Sequence, residues 1–344
     1  MEKVGVLGAS GTTGGELVRL LLGHPLVELA FLGGGRSAGR SLGNVHPHLA
    51  STPAAAQTIR PVEQARDLDA VFLALPHGES AGLAPALLEG GARAIDLSGD
   101  FRLPAADYPE WYGFDHPAPA WLGKAVYGLP ERFRDQIRSA HLVANPGCFP
   151  TASVLGLAPL LAAGLVEPGA IHVDGKTGLS GAGRSSGEAA SHAATEESIR
   201  PYRFPVHRHT PEMERALALA ADAEVRVSFV PHLVPAVRGV LTTTFARASA
   251  GATSEVLARA LADAYEGEPF VRVLPLGLMA DTKRVRGSNV VELQAAVDRR
   301  TGAAIVVGAL DNLVKGAAGQ AIQNLNLMIG CDETTALPRD GIYP

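Results

Sequence analysis

The sequence predicts a two-domain fold: a parallel α/β sheet with helical crossovers, then an α+β half built on a mixed sheet. Three observations predict it. At 344 residues the chain has the length of two domains of about 150 residues each. Its first third alternates apolar strands with helical segments. After Cys148 the texture changes, and β-branched strand patterns outnumber helices.

In chain order, Val4–Leu7 reads as a strand, Gly14–Leu22 as a helix and Val27–Leu32 as a second strand. Ala70–Leu75 is a third strand, Ser80–Leu88 a helix and Ala92–Leu97 a fourth strand. Strands alternating with helices imply parallel pairing and right-handed crossovers. Past Cys148, a helix over Thr151–Ala163 leads to a strand over Ala170–Asp174 and a Gly/Ser/Ala-rich segment over Gly175–Thr195. Val225–Pro231, Gly239–Ala246, Asn289–Gln294 and Ala304–Leu310 read as strands, with a helix over Ser254–Tyr265 between two of them. A last helix over Leu313–Met328 carries Leu313, Ala317, Ala321, Leu325 and Met328 at helical spacing, and is expected to return to the first domain.

Composition excludes several classes. With 47% hydrophobic and 19% charged residues the chain is globular and not disordered. Two cysteines, Cys148 and Cys331, exclude a disulfide framework and any zinc site of three or four thiolates. A net charge of −5 argues against general binding to nucleic acid or anionic membranes. The longest weakly polar stretch, Ala152–Val166, falls short of the roughly 20 residues that span a bilayer. The default expectation is a cytoplasmic protein with reduced thiols.

The segment Gly8-Ala9-Ser10-Gly11-Thr12-Thr13-Gly14 follows the first strand and opens the first helix. Glycines there permit a tight turn and close backbone approach to a pyrophosphate on the helix N-terminus, the signature of a Rossmann-type dinucleotide site. Ser10, Thr12 and Thr13 add hydroxyl donors. The second strand ends without a carboxylate; Gly33-Gly34-Gly35 runs into Arg36 and Ser37, a pair suited to a 2′-phosphate, so NADP is expected over NAD.

Cys148 lies in Ala144-Asn145-Pro146-Gly147-Cys148-Phe149-Pro150-Thr151, ahead of an apolar helix. Pro150 suits a first helical turn, and a cysteine at that end has its thiolate stabilised by unpaired N–H groups and the helix dipole. A buried structural cysteine is the equal alternative. A nucleophilic thiolate needs a proton partner; His207-Arg208-His209-Thr210-Pro211-Glu212 is the best source. In extended chain His207 and His209 point the same way, and Glu212 can orient an imidazole. A metal site using these histidines with His46 and His48 is disfavoured, and no metal is expected. Gly175-Lys176-Thr177 imitates the end of a phosphate loop, but Ala170 stands where its first glycine belongs and a strand precedes it.

The Asn145–Thr151 motif closely resembles the active-site signature of the N-acetyl-γ-glutamyl-phosphate reductase family, which is related to aspartate-semialdehyde dehydrogenase. The resemblance continues at Gly8–Gly15, Leu97–Leu103, Tyr127–Glu131, Ser180–Arg184, His207–Glu212 and Asp311–Gly316, in family order across nearly the whole chain. It implies NADPH-dependent reduction of a small-molecule acyl phosphate in arginine biosynthesis. By the resemblance, Cys148 attacks the acyl phosphate, His209 is the general acid/base and Glu212 orients it. Leu75, Pro76, Ser98 and Asn312 would line the nicotinamide side, and Arg102 and Arg184 would hold phosphate or carboxylate. Asn145, Ser180, Gly181 and His207 would complete the substrate site. A homodimer or homotetramer is implied. The expected domains are residues 1–147 completed by 313–344 for the cofactor, and 148–312 for catalysis and oligomerisation. Two alternatives stay open: reduction of a carrier-protein-linked glutamyl or aminoadipyl phosphate, and a non-catalytic NADP sensor.

Overall fold

The computed structural model of the chain describes residues 1–182 and 195–343. They form two compact units: Met1–Pro146 with Ala317–Leu337, and Gly147–Gly316 with Pro338–Pro344.

The first unit holds a six-stranded sheet. Its strands are β1 (Glu2–Leu7), β2 (Val27–Gly33), β3 (Ala70–Leu73), β4 (Arg93–Asp96), β5 (Ala125–Tyr127) and β6 (Leu142–Ala144). Their order is β2-β1-β3-β4-β6-β5, and every pairing is parallel. The four strands expected from the sequence are present. β5 and β6 are additional; with three residues each they are too short to show a periodicity. Helix α1 (Thr12–Leu21) starts two residues before its expected Gly14 and buries Leu17, Val18, Leu20 and Leu21. Helix α2 (Glu79–Glu89) follows β3, and α3 (Pro130–Ser139) follows β5.

The second unit holds a seven-stranded sheet. Its strands are β7 (Ile171–Thr177), β8 (Arg200–Pro201), β9 (Val227–Leu233), β10 (Val240–Arg247), β11 (Val271–Val273), β12 (Val291–Asp298) and β13 (Ala303–Leu310). The order is β11-β12-β13-β10-β7-β9-β8. β11/β12 and β7/β9 are parallel and the other pairs antiparallel, so the sheet is mixed, as the sequence predicts. β7 includes Gly175-Lys176-Thr177, which is therefore a strand end and not a phosphate loop. Helix α4 (Cys148–Ala162) is apolar all round and almost wholly buried, lying between the sheet, α5 (His209–Ala221) and α6 (Ser254–Ala264). Gly156 allows this close approach: a β-carbon there would stand 2.8 Å from Val306 Cγ1. The opposite sheet face, with His172, Asp174, Lys176, Thr243 and Phe245, is partly exposed, which produces the alternating burial along β7 and β10.

The predicted helix over Leu313–Met328 is divided. Val314–Ala318 forms a π-helical turn, and α7 (Gly319–Met328) follows with all ten residues buried. Its amides explain how a helix with polar residues on every side is buried. Asn324 Nδ2 donates to Gly128 O (2.9 Å) and Asn145 Oδ1 (3.0 Å). Asn326 Nδ2 donates to Thr335 O at 2.9 Å, and its Oδ1 lies 2.8 Å from His24 Nε2. The tail differs from the sequence expectation. Residues from Pro338 run with the second unit, held by Asn289 N–H to Pro338 O (2.8 Å) and Ile342 N–H to Arg286 O (2.7 Å). These are main-chain contacts, which side-chain patterning does not report.

Asn324→Ala removes the donor that serves Gly128 O and Asn145 Oδ1. Leaving buried acceptors unmet costs about 1–3 kcal/mol. Thermal denaturation is expected to show a lower midpoint with the cooperative transition retained.

Candidate active site

In the first unit the candidate residues gather at the carboxyl ends of the strands, where open α/β sheets bind ligands. Gly8 ends β1 with φ +90°, a left-handed conformation that favours glycine, and a β-carbon would collide with the Ala74 carbonyl. A β-carbon on Gly14 would strike Gly8 O, so α1 can seat against the loop only without one. Gly8 and Ala9 both donate to Gly33 O at 2.9 Å, and Ser10 Oγ stands 3.5 Å from the position of a β-carbon on Gly34. The loop and the end of β2 thus pack backbone to backbone. Thr12 and Thr13 open α1, Arg36 is exposed beyond β2, and Ser37 is half-buried. His46, weighed above as a metal ligand, has another function: its Nε2 bonds Ala9 O at 2.8 Å and its ring covers Gly15.

The turn after β4 is a network around two buried carboxylates. Asp96 accepts from Ser98 N–H (3.0 Å), Ser98 Oγ (2.6 Å), Gly99 N–H (3.2 Å) and Asp100 N–H (3.1 Å). Asp100 accepts from Gly78 and Ala81 N–H groups at the start of α2. Burial, then the charge of Asp100, pushes the Asp96 carboxyl up to about 6, and burial raises Asp100 also. Arg102 is buried, with Nε donating to Asn145 O (2.9 Å) and Nη2 to Leu97 O (3.1 Å). Asn145 N–H donates to Asp96 O at 2.8 Å, and its side chain engages Asn324. The structure therefore uses Arg102 and Asn145 to bind the ends of β4 and β6 together. Leu75 is part of the core and Pro76 is exposed after β3.

In the second unit Cys148 is the first residue of α4, three residues earlier than the expected helix start, with Gly147 as its N-cap. The thiol therefore lies in the first turn, among N–H groups that have no intrahelical acceptor. Thr151 closes the cap, donating its N–H (2.9 Å) and Oγ1 (2.8 Å) to Gly147 O. His209 is the first residue of α5, so the His207–His209 pair is not extended as the sequence reading supposed. The two histidines instead separate in kind. His207 is buried among Phe149, Tyr202 and Phe229 rings, and its Nδ1 accepts from His209 N–H at 3.1 Å. Burial, then Arg203 and Arg208, lowers its pKa to about 3, so it stays neutral and caps α5. His209 is half-buried, and its ring lies against the α-carbon of Gly147. Glu212 Oε1 accepts from Gly147 N–H at 2.8 Å.

Two features of this pocket were not found from sequence. Tyr202 stands close enough to Cys148 for the sulfur to help burial raise its hydroxyl pKa; no spacing or motif marks it. The π-helical turn places Gly316 where a β-carbon would be 2.7 Å from Cys148 Cβ. Asp311 fixes that turn, accepting from Leu313 N–H (2.8 Å), Val314 N–H (3.2 Å) and Gly287 N–H (2.7 Å). An interrupted helix at a functional site is a recognised pattern. Asn312 Nδ2 donates to Ser180 Oγ (2.9 Å) and Oδ1 accepts from Gly239 N–H (2.7 Å). A β-carbon on Gly181 would meet Thr177 Oγ1 at 2.8 Å, so Ser180, Gly181 and Asn312 form one cluster. Arg184 lies outside the described residues. Cys331, half-buried elsewhere, joins no such cluster.

Comparison with known proteins agrees with these two halves. Residues 3–140 match the family described as semialdehyde dehydrogenase, NAD binding domain. Residues 148–312 match semialdehyde dehydrogenase, dimerisation domain. The chain is 48% identical over 346 residues to the N-acetyl-gamma-glutamyl-phosphate reductase of Desulforudis audaxviator, covering 100% of both. It is 47% identical to that of Moorella thermoacetica, again over 100% of both chains. Among solved structures, aspartate semialdehyde dehydrogenase II of Vibrio cholerae matches in fold with a TM-score of 0.72 at 19% identity, over 96% of this chain and 98% of that one. The Candida albicans aspartate semialdehyde dehydrogenase with NADP has a TM-score of 0.68 at 18% identity, over 96% and 98%.

The raised Asp96 carboxyl predicts a pH dependence of stability. Its native pKa of about 6 exceeds the ordinary 3.8, so the native state holds the proton more tightly than the unfolded chain. The contribution is full below about pH 4 and is lost as pH rises through about 6, a change on the order of 2–3 kcal/mol. Denaturant titrations from pH 4 to 7 should show wild type losing stability relative to Asp96→Asn as pH rises.

Proposed function

The chain belongs to the N-acetyl-γ-glutamyl-phosphate reductase family, and from that premise we propose that it reduces N-acetyl-γ-glutamyl phosphate to the γ-semialdehyde with release of phosphate, in arginine biosynthesis. It is an oxidoreductase with a nicotinamide-dinucleotide-binding unit. The observation that carries the mechanism is Cys148 in the first turn of α4 with the His209 ring against the preceding residue.

In this reading His209 takes the thiol proton, and the helix N-terminus stabilises the thiolate. The Cys148 sulfur bonds to the acyl carbon, the carbon–oxygen bond to phosphate breaks, and phosphate leaves. NADPH, when bound, supplies the hydride that reduces the resulting thioester. His209 gives its proton to the oxygen that develops negative charge. Loss of that proton then drives carbon–sulfur cleavage, releasing the aldehyde and the thiolate. Backbone N–H groups of the first turn of α4 stabilise the oxyanion.

The cofactor fits the residues present. β-Carbons on Gly8 and Gly14 would collide with the Ala74 and Gly8 backbone, so the loop closes tightly on the start of α1 only as glycine, and Gly8, Ser10, Gly11, Thr12, Thr13 and Gly14 would hold a pyrophosphate there. Arg36 and Ser37 would meet the 2′-phosphate, which selects NADP. Ser98 would approach the nicotinamide from the turn that Asp96 stiffens. Ser180 and Gly181 would border the acyl substrate, and Asn312, bonded to Ser180, would line the nicotinamide side. The partly exposed face of the second unit's sheet, in the region matching a dimerisation domain, supports a homodimer or homotetramer. The same reading places the enzyme in the cytoplasm.

Phosphate-dependent reduction of NADP with N-acetylglutamate semialdehyde, run beside aspartate semialdehyde, tests the substrate. Turnover of the second compound alone would overturn the assignment. Cys148→Ala should abolish turnover while NADP still binds, as read by fluorescence titration. Arg36→Ala should raise KM for NADPH about tenfold, the loss of one charge-assisted contact, and leave KM for NADH nearly unchanged.

A further inference from the structure

Gly147 has φ −71° and ψ 158°, extended backbone that any residue adopts. Its conformation does not call for glycine, but its surroundings do. A β-carbon would collide with His209 Nε2 and stand 2.7 Å from Cε1 and 2.8 Å from Cδ2. The imidazole therefore occupies the space a side chain would take, one residue before the nucleophile. Two other groups of Gly147 are also held. Its N–H donates to Glu212 Oε1 (2.8 Å), and Glu212 is buried. Its carbonyl accepts from Thr151 N–H and Oγ1. His209 and Glu212 lie three residues apart on α5, one helical turn, so a single helix end grips both the α-carbon and the amide of Gly147.

We propose that Gly147 is a positioning residue: its bare α-carbon is the seat of the His209 imidazole, and Glu212 clamps its amide, so that together they set the spacing between imidazole and thiol. Glu212 then acts on the backbone of the residue before the nucleophile, in addition to any hold it has on the ring. The proposal rests on the reading of Cys148 and His209 given above.

The test is a double-mutant cycle of Gly147→Ala and His209→Ala, read by turnover, thermal midpoint and NADP affinity. Gly147→Ala should lower kcat at least about 100-fold, the scale of a lost general acid/base. Its NADP affinity should be unchanged. The double variant should turn over within about threefold of His209→Ala alone and should regain most of the thermal midpoint lost in Gly147→Ala, because removing the ring makes room for the methyl group. If Gly147→Ala does not fold, refolding of the double variant carries the same conclusion. Wild-type turnover in Gly147→Ala, or losses that multiply in the double variant without thermal recovery, would overturn the proposal. If thermal recovery occurs but His209→Ala keeps full turnover, the seat stands and the acid/base reading of His209 falls.

Discussion

The candidate site of the second unit depends on one tight junction, the backbone of Gly147. Its carbonyl caps α4, its amide is held by Glu212, and its α-carbon carries the His209 ring. Each contact constrains the residue that follows it, Cys148. A thiol in a helix's first turn gains stabilisation of its anion, but the gain falls off within that turn, so the cap must hold it there. Gly316 closes the pocket from another side, and Asp311 holds the π-helical turn that presents it.

The cofactor unit uses a different device. Buried polar groups there are linked in a connected chain: Asp96 with the Ser98–Asp100 backbone, Asp96 O with Asn145 N–H, and Asn145 with Asn324 on α7. Hydrogen bonds linked in this way in a low-dielectric interior reinforce one another and hold the strand ends together. Asp96 bears the electrostatic cost of this arrangement, as its raised pKa shows. Arg102 extends the same network to Leu97 and Asn145, so its guanidinium is held in place by main-chain carbonyls.

Legibility followed the range of the interaction. Gly8–Gly14, Cys148 before an apolar helix and the long strands all lie within short windows, where local propensity and spacing decide the outcome. β5 and β6 were invisible because three residues carry no period. His207 and His209 are two apart in sequence, yet one is a buried neutral cap and the other faces the thiol's neighbour. That difference arises from the start of α5 and from Phe149, Tyr202 and Phe229 packing around His207. Tyr202 was missed for the same reason: its significance is its distance from Cys148, which no linear pattern encodes.

By itself the sequence carried a glycine-rich loop with a dinucleotide-binding pattern, one cysteine ahead of an apolar helix, and a His-x-His-x-x-Glu segment. Those are covalent facts, and the first turn of a helix reads them directly. Only the tertiary structure decided that the His209 ring lies against Gly147, the residue before Cys148, and that Ser180 and Asn312, 132 residues apart, form one cluster. Such outcomes depend on which atoms compete for the same space once distant segments have packed, and excluded volume is a property of the assembled fold and not of the chain.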